Sequence, residues 1–234
     1  MKTVKILAIA IIALVSSTSV MAQFSVGTDI VSNYVWRGVQ QDLTNTKGTP
    51  NIQPSISFTA GKFTIGAWGS AGILGTVKEV DIYATFAISS LFSLTVTDYN
   101  WNFSKSYFSY SEGTDHVFEG SLNYAGVESF PLSVSLNTMF YGADKVAVSE
   151  TESKQAYSTY LELAYPISAN AKIFLGGSLN ESANYGTSGF GITNVALKAS
   201  KSIEITDKFS LPVYGVVGVN PTAKDAFLVL GVTL

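Results

Sequence analysis

The chain has no cysteine, a single histidine and few charges. Without cysteine there are no disulfides, no thiolate chemistry and no lipid-modified cysteine to anchor a lipoprotein. One imidazole, His116, cannot build a clustered-histidine metal site, and neither a Gly-x-Ser-x-Gly elbow nor a glycine-rich phosphate loop is present. Charged residues make up 13% of the chain against about 25% in an average soluble domain, while 47% is apolar. That is too little charge to coat a water-facing globule. Past residue 22 the chain also lacks any apolar run near the roughly 20 residues of a membrane-spanning helix. A closed transmembrane β-barrel is the remaining way to satisfy every backbone group in lipid with so modest a hydrophobicity.

The N-terminus has the form of a secretory signal peptide: Lys2 and Lys5, an apolar run from Ile6 to Val15, then small residues ending in Val20, Met21 and Ala22. The expected organisation is a signal peptide over 1 to 22 and one barrel domain over 23 to 234. Cleavage would remove two of the 14 basic residues and leave 12 against 17 acidic ones, a net charge of −5. Nucleic acid is therefore not an expected partner.

Alternation carries the fold. In VDIYATFAI, Val80, Ile82, Ala84, Phe86 and Ile88 fall on one side and Glu79, Asp81, Tyr83 and Thr85 on the other. NIQPSISFTA separates in the same way into Ile52, Ile56 and Phe58 against Gln53, Ser55, Ser57 and Thr59. Read throughout, this period predicts strands near 24 to 39, 51 to 60, 62 to 71, 78 to 89, 91 to 101, 115 to 125, 130 to 142, 154 to 167, 171 to 181, 191 to 204, 208 to 219 and 225 to 234. Tight turns such as SSL and TDK alternate with long polar loops such as NFSKSYFSYSEGT. About twelve antiparallel strands, up and down, with short turns at one end and long loops at the other is the pattern of a bacterial outer-membrane barrel. Outer-membrane lipid is then the first partner, with the periplasm the runner-up location. A soluble β-sandwich is the competing fold; the apolar alternation kept to the end of AFLVLGVTL argues against it.

In SNYVWRGVQQ, residues 32 to 41, parity divides the first predicted strand. Val26, Ile30, Tyr34 and Trp36 read as a lipid face finished by an aromatic girdle, and Asp29, Asn33 and Arg37 as a lumen stripe, so Trp36 and Arg37 are expected to point in opposite directions. This stretch, with TPNIQPSISF, GAWGS at 66 to 70, EVDIY at 79 to 83 and the tail from Leu211, resembles the TorF-type porins, a family of bacterial envelope proteins. The resemblance implies an outer-membrane barrel and suggests transport. It departs from the family pattern at Asn33, where aspartate is usual, and at Gln40, where serine or threonine is usual. If the missing aspartate neutralised the arginine, Asp29 is its nearest substitute.

The same parity places Glu79, Asp81, Glu119, Glu162 and Lys198 on the lumen side. These charges either cross-link into a network that fills the interior or line a narrow polar channel, with Arg37 central to both, since guanidinium stays charged and bridges two carboxylates. The expected function is a porin-like passive conduit for small polar solutes or ions; the alternative is a structural or ligand-binding envelope barrel with a filled lumen. No cofactor and no metal are expected: Glu79 and Asp81 with Asp98 or Glu119 lack the further oxygen ligands of a cation loop. A remote alternative is a barrel hydrolase pairing His116 with Ser121 or Ser111. The aromatic segment 97 to 111, with Tyr99, Trp101, Tyr107 and Phe108, is expected to extend the outer girdle and pack its loop down, or to stack against a sugar or a surface partner.

Overall fold

The computed structural model describes residues 22–42, 48–74, 78–101, 103–111 and 113–234. Of the predicted signal segment only Ala22 falls among these residues. Twelve strands follow: β1 (Ala22–Val31), β2 (Asn51–Ala60), β3 (Phe63–Gly72), β4 (Lys78–Ala87), β5 (Phe92–Tyr99), β6 (Val117–Tyr124), β7 (Ser133–Gly142), β8 (Thr159–Ser168), β9 (Ala171–Ser178), β10 (Gly191–Thr206), β11 (Phe209–Asn220) and β12 (Asp225–Thr233). Each pairs antiparallel with its neighbours in sequence, and β1 pairs with β12, closing the sheet into a barrel with no free edge.

The barrel is inside out relative to a soluble protein. Outward positions carry exposed Val26, Ile56, Ile82, Val96, Leu122 and Leu230, while inward ones carry buried Asn51, Gln53, Ser70, Glu119, Asn137 and Asn194. Period-2 alternation produces this directly, because one face of each strand meets the outside and the other the lumen. At the end with the tight turns, cross-strand threonine hydroxyls bond across the lumen wall, Thr59 to Thr64 and Thr85 to Thr95, each at 2.9 Å.

The first strand differs from its prediction. It ends at Val31, not near residue 39, and the closing seam with β12 is short: Asp29, Ile30 and Val31 face Thr233, Val232 and Gly231. Ser32 makes the last wall contacts, its amide donating to the Leu230 carbonyl at 2.8 Å while its Oγ accepts from the Leu230 amide at 2.9 Å. The chain then turns inward, and residues 35–36 pair with 39–40 as a small hairpin inside the barrel. Tyr34 and Trp36 are therefore interior residues and not part of an outer girdle. Tyr34 is buried against Trp68 at 5.5 Å, and Trp36 packs against Tyr99, Trp101 and Tyr185. Tyr99 and Trp101 likewise face the lumen cluster instead of the outer rim.

Candidate functional site

Arg37 and Gly38 form the two-residue turn of the inner hairpin, with φ of 52° and 79°. Two-residue hairpin turns of this hand need positive φ at both positions, which suits Asn-Gly far better than Arg-Gly. A left-handed conformation at arginine costs on the order of 1–3 kcal/mol, so it persists where other contacts over-determine it. Here they do. Nη1 and Nη2 clamp both oxygens of Glu119 at 2.6 and 2.8 Å, and Nη1 donates to the Tyr185 hydroxyl at 2.5 Å. The guanidinium also lies 4.5 Å over the Trp36 ring and 4.9 Å over that of Tyr160. The backbone is held as firmly: Thr193 Oγ1 donates to the Arg37 carbonyl at 3.0 Å and Asn220 Nδ2 to that of Gly38 at 3.1 Å.

Glu119 stands on β6, across the barrel from β1, so the side chain of Arg37 is a crossbar tying the inner hairpin to the far wall. Glu119 is fully buried and also accepts from Tyr99 at 3.0 Å and Ser121 at 3.3 Å. Tyr185 comes from the loop between β9 and β10, stacked between Trp36 and Tyr160; burial, the dominant cause, raises its phenol above the usual range and keeps it protonated. Tyr160 can cross the wall here because β9 carries glycine beside it: a Cβ on Gly176 would sit 2.0 Å from the Tyr160 hydroxyl.

Gly38 is as constrained. Its backbone is left-handed, and an added Cβ would stand 1.9 Å from the Thr193 carbonyl oxygen. Gly38→Ala is expected to destabilise the barrel by about 1–3 kcal/mol and to release the hairpin, seen as faster proteolytic nicking between Tyr34 and Gln41. A cutting rate unchanged from the parent would refute the docking.

The hairpin divides the interior. One side of it, with Trp36, Val39 and Gln41, borders a vestibule of about 450 Å³ at the loop end. The other, with Val35, Arg37 and Gly38, borders a cavity of about 250 Å³ deeper in the lumen. A third, of about 440 Å³, lies at the turn end, and Glu162 lines both of the lower two. Glu162 accepts from Tyr160 at 2.9 Å and Asn194 at 3.1 Å. Lys198, in the deeper cavity, sits 4.1 Å over the Tyr214 ring.

The remaining predicted lumen residues are interior, with partners other than those the parity implied. Asp29 accepts from Tyr214 at 3.0 Å and Thr233 at 2.7 Å, so it does not substitute as the counter-ion of Arg37, a role Glu119 fills. Asn33 is buried, with Gly48 packed against its amide. Glu79 and Asp81 are both about 5% exposed. Among the described residues neither has a lysine or arginine within ion-pair distance.

On the outer side of the loop end, His116 is buried, with Nδ1 2.6 Å from Asp98 and Nε2 2.5 Å from the Tyr107 carbonyl. Tyr107 and Tyr110 pack on its ring, and Phe108 stays exposed. The imidazole thus fastens the aromatic loop to the wall. Among the described residues no serine hydroxyl bonds its ring, and Ser121 faces Glu119 instead. Sequence reasoning missed Tyr160, Tyr185 and Thr193. Only Arg-Gly flanked by Val-Trp and Val-Gln carried a local signal, that of a two-residue hairpin. No family model matches the chain, and no curated protein matches it either.

Proposed function

We propose that the mature chain is an outer-membrane barrel offering small polar solutes or ions a narrow route, with the inner hairpin as its constriction. The apolar outward face and the signal-peptide-like N-terminus support membrane residence, and the resemblance to TorF-type porins supports transport. One observation carries the reading: cavities, each with a carboxylate in its lining, lie on both sides of a single crossbar, Arg37 on Glu119. A barrel that served only as a rigid shell would have no need of cavities on either side of the bar. The hairpin of residues 35 to 40 borders both vestibule and lumen.

The second reading, a filled ligand-binding or structural barrel, is favoured by how completely Arg37 is satisfied. Planar-bilayer recordings separate them. The conduit predicts small, intermittent currents for the parent protein and larger, sustained ones for Arg37→Ala. Equal silence from both proteins would leave the filled barrel. Selectivity follows from the charges that remain when the crossbar is neutralised internally. Asp29, Glu79, Asp81 and Glu162 outnumber Lys198, so reversal potentials should favour cations. Glu162→Gln, removing the carboxylate common to both lower cavities, is expected to weaken that preference; an unchanged reversal potential would place the ion path elsewhere.

A further inference from the structure

We infer that the loop-end vestibule binds a small organic ammonium cation. Its volume of about 450 Å³ falls in the range of about 300–1,000 Å³ typical of ligand sites. Its walls combine the indoles of Trp36 and Trp101, the ring of Tyr185, the amides of Gln41 and Asn184, and the carboxylate of Glu79. Aromatic faces carry negative quadrupole charge and attract a cation that sheds its water, most strongly at tryptophan.

Three features favour a cation over a neutral ring such as a sugar, which the rings and amides alone would also suit. First, Glu79 and Asp81 are buried carboxylates with no basic partner among the described residues, and Asp81 Oδ1 has no hydrogen-bond partner at all. Buried carboxylates are ordinarily paired, because removing the charge from water costs several kcal/mol otherwise. Of the other buried carboxylates nearby, Glu119 has its guanidinium, and Asp144 accepts hydrogen bonds from Ser158, Gln155 and Asn184. Second, Glu79 is the one acidic side chain among the described residues that line the vestibule, so its carboxylate borders the space a ligand would fill. Third, the protein's own cation does not compete. Arg37 is matched by Glu119 and borders the deeper cavity, and no lysine or arginine among the described residues lies over Trp101. Lys78, also in the lining, is exposed and forms no ion pair with either carboxylate among the described residues. A sugar would leave the carboxylates unpaired; an ammonium group between Trp101 and Glu79 meets both demands.

The test is calorimetric titration of the folded barrel, in uncharged detergent micelles, with choline. Two comparison ligands are its uncharged isostere, in which carbon replaces the ammonium nitrogen, and glucose. Choline should bind saturably and the isostere at least about tenfold more weakly, with Glu79→Gln and Trp101→Leu each weakening choline by about tenfold or more. Trp101→Phe should recover part of the loss and Lys78→Ala should tighten binding. A gel shift between unboiled and boiled samples establishes that each variant is folded. No heat with choline, equal affinity for the isostere, preferential binding of glucose, or indifference to Glu79→Gln would each overturn the inference. Because no gradient or current is involved, silence in the bilayer leaves this result standing, and failure to bind choline leaves the conduit standing.

Discussion

Glu119→Ala is expected to lower the stability of the folded barrel by about 3–5 kcal/mol, the cost of leaving one member of a buried ion pair without the other. Arg37 would keep its charge in the middle of the lumen with only the Tyr185 hydroxyl and the faces of two rings to compensate it. Tyr99 and Ser121 would each lose an acceptor in the same step. The left-handed turn at Arg37 would lose the contact that holds it against its own strain. Reversible urea unfolding in micelles, followed by tryptophan emission, reads the difference, and the same variant should pass more current because the crossbar has lost its anchor.

The double change Arg37→Met with Glu119→Leu supplies the control. Replacing both charges with apolar groups of similar size is often neutral or stabilising, since neither charge must then be taken out of water. Most of the lost stability should return while the larger current remains. A cost for Glu119→Ala below about 1 kcal/mol, the range of an exposed pair, would mean that water reaches the crossbar freely and that the hairpin is held by Thr193 and Asn220 instead.

The barrel was legible in the sequence because each wall position meets one of two environments, and alternation records which. Ile52 against Gln53, or Ile82 against Asp81, needs no long-range information to assign. The same rule misled at residues 32 to 39, because Val35, Trp36, Val39 and Gln40 go on forming a strand after the chain has left the wall. A local period cannot distinguish a wall strand from a ribbon folded inside it. The turn at Arg37 and Gly38 did leave a trace, in that two residues with β-formers on both sides are hairpin grammar. Its partner left none. Glu119 lies 82 residues away and meets Arg37 only because closing twelve strands sets β6 across from β1. Tyr99 was expected in the outer girdle although its parity, alternating with the inward Thr95 and Thr97, points to the lumen, whereas Tyr185 sits in a loop where no period applies.

Val96→Arg is expected to cost about 2–4 kcal/mol for folding into phosphatidylcholine bilayers, the penalty for a cation at the hydrocarbon midplane on the outside of a barrel. Val96 is exposed and outward at the middle of β5, level with Ala84 and Gly120 on the neighbouring strands and away from both ends of the wall. Phe92→Arg is the partner measurement. Phe92 is also exposed and outward, but it pairs with Tyr124 at the turn end, where interfacial depth reduces the same penalty to about 0–1 kcal/mol. Were the outward face bathed in water, both substitutions would act on a solvated surface and change stability by no more than about 0.5 kcal/mol. The gradient between the two sites therefore reports on the medium and not on the contacts of either side chain, which are few. Equal costs at Val96 and Phe92 would remove hydrocarbon from around the barrel, and with it the conduit across a membrane.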